Sequence, residues 1–233
     1  MTKNTAGGHM GEGTVLITGG AGGIGSAAVE RFVAEGWRVV APIRPGSSGR
    51  LPKGALAVEA DLRNETDVTT AVEAAAAENG APLRAVVNLA GGFTVGGLIA
   101  ETPIAGLDAM LTANLRPTYL VTAAALPHLV AAGGGSVVCV AARAARAPFP
   151  GGSGYAISKA AVVAFANAVA TEYKKSGVRC NTILPVVVDT PANRRDMPDA
   201  DFSKWPSAEE IASVLLFLAS DASKPTTGAE LPV

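Results

Sequence analysis

Tyr155 and Lys159 stand four residues apart in "YAISK", a spacing that puts a phenol and an amine on one face of a helix. Such a pair is suited to proton transfer. A second chemical signal lies near the start of the chain, in "TVLITGGAGGIGSAAVERF". Gly20-x-Gly22-x-x-Gly25 and the overlapping Thr18-Gly19-x-x-x-Gly23-x-Gly25 are both glycine patterns between an apolar run and a helical one. Glycines there permit a tight turn and let the backbone approach a pyrophosphate, while the free N–H groups at the helix start face the phosphates. The spacing therefore predicts a dinucleotide site. At the end of the second apolar run, "APIRPGSSGR", Ile43 occupies the position where an acid would hold ribose hydroxyls, and Arg44 follows. No Asp or Glu occurs between Glu35 and Glu59. An arginine there pairs well with a 2′-phosphate, so the expected cofactor is NADP(H), with NAD(H) as the alternative.

Short β-branched runs must position these groups. They are expected at 14–18, 38–43, 55–60, 84–90, 136–141 and 179–186, with "ELPV" as a further candidate, and each is expected to be covered on both faces. Helical patterns alternate with them: the stretch after the glycine loop, one after Asn64 as N-cap and before Gly80, one over 104–132, and one from Tyr155 to a stop at Lys174, Lys175 and Gly177. This alternation predicts a single-domain α/β fold of the Rossmann type, a doubly wound parallel sheet with helices on both faces, over residues 13–233. Residues 1–12, polar and Gly-rich, are expected to be a disordered leader or an expression remnant.

A chain of 233 residues, 48% of them hydrophobic, can bury a sizeable core. A net charge of -1 gives no electrostatic case for nucleic acid or an anionic membrane. No apolar run reaches the roughly 18 residues that span a bilayer. Cys139 and Cys180 sit in apolar strand-like runs, as buried free thiols in a cytoplasmic protein would. With only His9 and His128 besides, no metal site is expected.

Taken in order, the motifs resemble the short-chain dehydrogenase/reductase family from about Thr14 to the end. The resemblance assigns Gly19, Gly22, Gly23, Ile24 and Gly25 to the nucleotide loop, Asp61 and Leu62 to the adenine side, and Asn88, Ala90 and Gly91 of "NLAG" to the motif over the cofactor. It assigns Pro185, Val188 and Thr190 of "LPVVVDTP" to the nicotinamide side, where Val186 replaces a usual glycine. It also implies a catalytic set of Tyr155, Lys159 and Asn114. Tyr155 is the proton donor, Lys159 lowers its pKa and orients the ribose, and Asn114 holds a relay water. The family's usual serine, 13 positions before the tyrosine, is Ala142 here. Ser136 is too far back, and Ser153 is a conceivable substitute.

Within the family the likeness is to the dihydropteridine reductase branch. Such enzymes also lack that serine, and "AARAA", "AGGF" and "LPVVVDTPANRRDMPDADFSKWP" resemble their segments. Arg44 in place of their acid, and the presence of Asn114, are departures from it. The resemblance implies hydride transfer to a planar electrophile such as a quinonoid dihydropterin. It needs little oxyanion stabilisation, which a serine would otherwise supply. The alternatives are a carbonyl or quinone reductase lacking the serine, and a non-catalytic nucleotide-binding sensor or scaffold. Phe93, Ala142 and Arg143 are the candidate substrate residues. Arg146 could join Arg143 in binding an acidic tail, and Phe202 and Trp205 could cap a lid over 191–206. The apolar helices near 104–132 and 154–176 imply a homodimer or homotetramer acting on a small molecule.

Overall fold

The apolar runs become one sheet in the computed structural model, which describes residues 13–46 and 51–233. Its strands are β1 (Thr14–Thr18), β2 (Arg38–Ile43), β3 (Ala55–Glu59), β4 (Leu83–Asn88), β5 (Gly135–Val140), β6 (Val178–Leu184) and β7 (Glu230–Pro232). All neighbours pair in parallel, in the order β3-β2-β1-β4-β5-β6-β7. Each strand begins and ends within two residues of its expected bounds. The suggested leader, 1–12, lies outside the described residues.

Alternation along the strands divides the core in two. Val15, Ile17, Val39, Val87 and Ile183 face α1 (Gly23–Ala34) and α6 (Ala208–Ala219). Leu16, Val40, Val86, Val137 and Leu184 face α2 (Glu65–Ala76), α3 (Ile104–Ala131) and α4 (Ser153–Glu172). The doubly wound fold is therefore as expected, but covering on both faces fails at β3. Leu56, Ala57 and Glu59 are exposed because β3 is the sheet's edge and pairs only with β2.

Local signals end the helices. The Asn64 Oδ1 accepts hydrogen bonds from the Thr66 and Asp67 amides at 2.8 and 3.2 Å and starts α2. That helix stops at Ala76, short of Gly80. Past α4, Gly177 takes φ +74° and turns the chain into β6. No membrane-length run within α4 is apolar throughout, since Lys159 and Asn167 interrupt it. Its 20 residues, with mean hydropathy 1.2, are long and apolar enough to cross a bilayer by composition alone, because its polar side chains are few. One face of α4 instead packs Val162, Val163, Ala166 and Val169 into the core.

Consecutive strands wind outward from β1 in one direction and from β4 in the other. The crevice at the carboxyl ends of β1 and β4 is thus the topological switch point, where open α/β sheets bind ligands. Thr18 fixes its floor: its Oγ1 accepts hydrogen bonds from the Leu89 and Ala90 amides, both at 3.0 Å.

Candidate active site

The chain leaves β1 through Gly19, whose φ of +70° lies in the left-handed region. The Gly22 amide then donates to the Gly19 carbonyl at 2.9 Å. A Cβ on Gly25 would strike that same carbonyl, so only glycine lets α1 start this close to the strand. The N-cap of α1 is Gly22, which has no side chain to bond the first-turn amides. Those amides open onto the crevice, a ready anion site at a helix start.

Two adjoining cavities share Gly19, Gly22, Leu89, Gly91 and Gly92. The larger, of about 800 Å³, is lined by Ile43, Arg44, Asp61, Leu62 and Ala90. The smaller, of about 340 Å³, is lined by Gly23, Ile24 and Gly25 at one end. Pro185, Val188 and Thr190 line its side, and Tyr155, Lys159, Ala142 and Phe93 its other end. The elongated cleft, its amide-rich waist and the arginine at one end fit a nicotinamide dinucleotide. Among the described residues no group of three His, Cys, Asp or Glu side chains could hold a metal ion.

At the adenine-side end, Asp61 is already paired. The Arg63 guanidinium grips both carboxylate oxygens, at 2.7–3.2 Å. With the Arg63 amide it holds the Asp61 pKa down to about 2. Ile43 is buried and apolar where an acid was sought, while Arg44 is exposed on the cavity wall.

At the other end the Lys159 Nζ lies 5.9 Å from the Tyr155 ring centroid and donates to the Val140 carbonyl at 3.0 Å. Burial lowers the Lys159 pKa to about 8. The Tyr155 phenol is raised by burial. Desolvation thus acts on Tyr155 opposite to the lowering expected from Lys159, and it favours the protonated phenol. Phe93 meets the Tyr155 ring edge-on, with centroids 4.9 Å apart and planes at 89°.

Three expected site residues line neither cavity. Asn88 is buried under α3, where its Nδ2 donates to the Thr122 Oγ1 at 2.9 Å. Arg143 is exposed outside the cleft, where its amide donates to the Pro185 carbonyl at 2.9 Å and its carbonyl accepts from the Arg146 and Ala147 amides at 3.0 and 2.9 Å. Asn114 sits behind Gly91 and Gly92. Its Oδ1 accepts from the Gly92 amide at 3.0 Å, and its Nδ2 donates to the Gly92 carbonyl and to the Ser158 Oγ, each at 3.0 Å. With both amide donors committed, its side chain is a brace for the loop carrying Phe93. A Cβ on Gly91 would lie 2.5 Å from the Asn114 Oδ1 and 3.4 Å from the Lys159 Nζ, which explains the glycine there.

No hydroxyl replaces the missing serine on the cavity wall next to Ala142. Ser136 is spent on the Leu218 carbonyl at 2.7 Å, and Ser153 does not line the cavity. Arg146, an expected partner for an acidic tail, is instead held by Glu230 through bonds of 2.6 and 2.8 Å.

Sequence reasoning missed Ser158. Its Oγ donates to the Tyr155 carbonyl at 2.8 Å and accepts from Asn114, tying α4 to α3 beside Tyr155 and Lys159. Its place beside Lys159 was the only available hint. Phe149, 6.3 Å from Phe93, was missed too. The segment after β6 carries the suggested lid. Thr190 caps the short α5 (Pro191–Asp196), and Asn193 lines the smaller cavity. The Asp189 amide donates to the Pro206 carbonyl at 2.8 Å, closing the segment at its base. Inside it the Asp189 carboxylate binds Arg194 at 2.6 and 2.7 Å. Arg194 lies over the Phe202 ring at 4.8 Å, and Phe202 packs on Trp205 at 4.9 Å. Phe202 and Trp205 thus hold the segment together from within.

Comparison with known proteins agrees with this geometry. The sequence profile of the short chain dehydrogenase family matches residues 13–201. The chain is 34% identical to the 2-(R)-hydroxypropyl-CoM dehydrogenase of Xanthobacter autotrophicus, covering 93% of this chain and 94% of that one. It is 32% identical to the (3R)-3-hydroxyacyl-CoA dehydrogenase of Rattus norvegicus, covering 94% and 93%. A solved short-chain type dehydrogenase/reductase from Mycobacterium ulcerans superposes with a TM-score of 0.89 at 29% identity, over 96% of this chain and 88% of that one. With its fold, cleft and near full-length relatives in agreement, the chain belongs to the short-chain dehydrogenase family of NAD(P)-dependent oxidoreductases.

Proposed function

We propose that this oxidoreductase uses NADPH to reduce a planar, conjugated electrophile, a quinonoid dihydropterin or a quinone. The observation that carries the reading is Ala142, 7% exposed and on the cavity wall, where it presents a methyl group instead of a second hydroxyl donor near Tyr155. A simple ketone develops an oxyanion during reduction, and losing one donor costs such a reaction about 3–4 kcal/mol. A conjugated ring spreads the incoming charge and depends less on that donor. The apolar wall of Val186, Val188, Ala142 and Phe93 suits a flat ring.

NADPH, when bound, supplies the hydride. The first-turn amides of α1 would hold its phosphates, Arg44 its 2′-phosphate, and Leu62 with the ionised Asp61 its adenine. Ala90, Gly91, Pro185, Val188 and Thr190 would line the nicotinamide half, and Lys159 would hold the ribose. Tyr155, kept protonated by burial, would give its proton to the substrate heteroatom. Asn114 and Ser158 would keep the walls in place. Buried free Cys139 and Cys180 suit a reducing cytoplasm. Tyr119, Val130 and Ile157 leave apolar area exposed on α3 and α4, which supports a homodimer or homotetramer through those helices.

A second reading, reversible oxidation of a secondary alcohol, is favoured by the relatives, which are named as dehydrogenases of hydroxy compounds. A turnover panel with NADPH separates the two. Dihydropterin or quinone turnover well above that of simple ketones supports the first reading. Ketone turnover as fast as either overturns it.

A further inference from the structure

We propose that the substrate carries an uncharged, apolar tail, held in a trough that leads outward from Tyr155 along Phe93 and Phe149. The inference rests on reading the smaller cavity as the site of hydride transfer. Phe93 belongs to both places: it lines that cavity against Tyr155 and also reaches Phe149, in steps of 4.9 and 6.3 Å. The two loops that carry these rings are stitched together. The Gly96 amide donates to the Gly151 carbonyl at 2.9 Å, and a Cβ on Gly151 would lie 3.2 Å from the Val95 Cγ1. Val95 lies beside this seam between the two loops, and Val186 lines the cavity.

These side chains are large, apolar and open. Phe93 is 60% exposed, Val95 52%, Phe149 39% and Val186 45%. A contiguous apolar rim continuous with a reactive cavity is the pattern of a ligand-binding groove. Charge argues the same way. Among the described residues, Lys159 is the only charged one on the wall of the smaller cavity, and it is buried. Arg146 and Arg194 are neutralised by Glu230 and Asp189, and Arg143 lies outside the cleft. Apart from the buried Lys159, a carboxylate or phosphate tail would find no cation among the described residues of that wall. An alkyl or prenyl tail would find two rings and two valines, along a path that accommodates roughly eight carbons in extended form.

The test uses 4-alkylphenols, from methyl to octyl, as unreactive probes, titrated calorimetrically into the full chain saturated with NADP⁺. Full burial of a methylene tightens binding about fourfold, so a half-open trough should give about twofold per methylene. In Phe149→Ser and Val95→Ser that gradient should flatten, with melting curves confirming that each variant is folded. Affinity independent of tail length in the parent, or an unchanged gradient in both folded variants, overturns the proposal. So does a gradient that vanishes on dilution of the protein, because the rim would then be shared with a second copy of the chain. Turnover of 2-alkyl-1,4-benzoquinones tests the redox reading separately. A binding gradient without quinone turnover would sink that reading and leave the trough standing.

Discussion

Replacing Lys159 by methionine should stabilise the nucleotide-free protein at pH 7 while abolishing its chemistry. Methionine keeps the length and apolar stem of lysine and removes only the charge. Burial depresses the Lys159 pKa from 10.5 to about 8, and this corresponds to about 3 kcal/mol at about 1.4 kcal/mol per pH unit. An unfolded lysine keeps its proton up to pH 10.5, whereas the folded one releases it near 8. Between those values the unfolded chain binds more protons, so the parent gains stability as pH rises. Below about pH 8 the full penalty is present, and above 10.5 it is gone. The variant escapes the penalty but leaves the Val140 carbonyl without its 3.0 Å donor, a loss of about 1–2 kcal/mol. The expected net gain at pH 7 is therefore about 1–2 kcal/mol by urea denaturation. The gap should close between pH 8 and 10.5 and reverse beyond it. Cys139 opposes burial and raises the Lys159 pKa, but burial is the larger effect. A variant less stable than the parent at pH 7, or a gap that does not change with pH, would refute the reasoning.

Tyr155→Phe should lower NADPH-dependent turnover about 100-fold or more with cofactor affinity nearly unchanged, as steady-state and binding assays would show. Ala142→Ser should restore a donor and raise the rate on simple ketones by up to about 100-fold, while changing the preferred substrate's rate little. Arg44→Ala should remove most of a preference for NADPH over NADH, about 1–3 kcal/mol by calorimetry, and equal affinities in the parent would contradict it. Ser158→Ala breaks the link between Asn114 and the Tyr155 carbonyl. It should cut kcat about tenfold while leaving NADPH affinity little changed, and an unchanged kcat in a destabilised variant would mark a purely structural role. Light scattering at micromolar concentration should give a dimer or tetramer mass.

What was legible in the sequence was what is local. The strands are continuous apolar runs because helices cover both faces of the central sheet, and Asn64 and Gly177 end their elements through their own conformations. The glycine loop could be read because its geometry is set within a few residues. Contacts across the fold could not. Arg146 looked free until β7 brought Glu230 to it from 84 residues away. Besides Tyr155, Phe93 meets Phe149, on a loop joined to its own by the Gly96–Gly151 bond. Ser158 gave no signal of its own, since a serine inside a helix is unremarkable until Asn114 lies opposite it. The edge position of β3 was hidden for the same reason: "ALAVE" has the composition of a core strand, and only strand order places it outermost.

The bond between the Asp189 amide and the Pro206 carbonyl makes the segment between them a cassette. Its two ends meet, and its own Asp189–Arg194–Phe202–Trp205 stack holds it together, so little of its stability is borrowed from the sheet. Loop closure depends only logarithmically on length, each doubling costing about 0.6 kcal/mol. Insertions, deletions or replacement beyond Thr190, which itself lines the smaller cavity beside Gly23, should be tolerated while β6 and α6 stay in place. Such a chain can change what it accepts far faster than how it holds its nucleotide, and the two properties can evolve or be engineered apart.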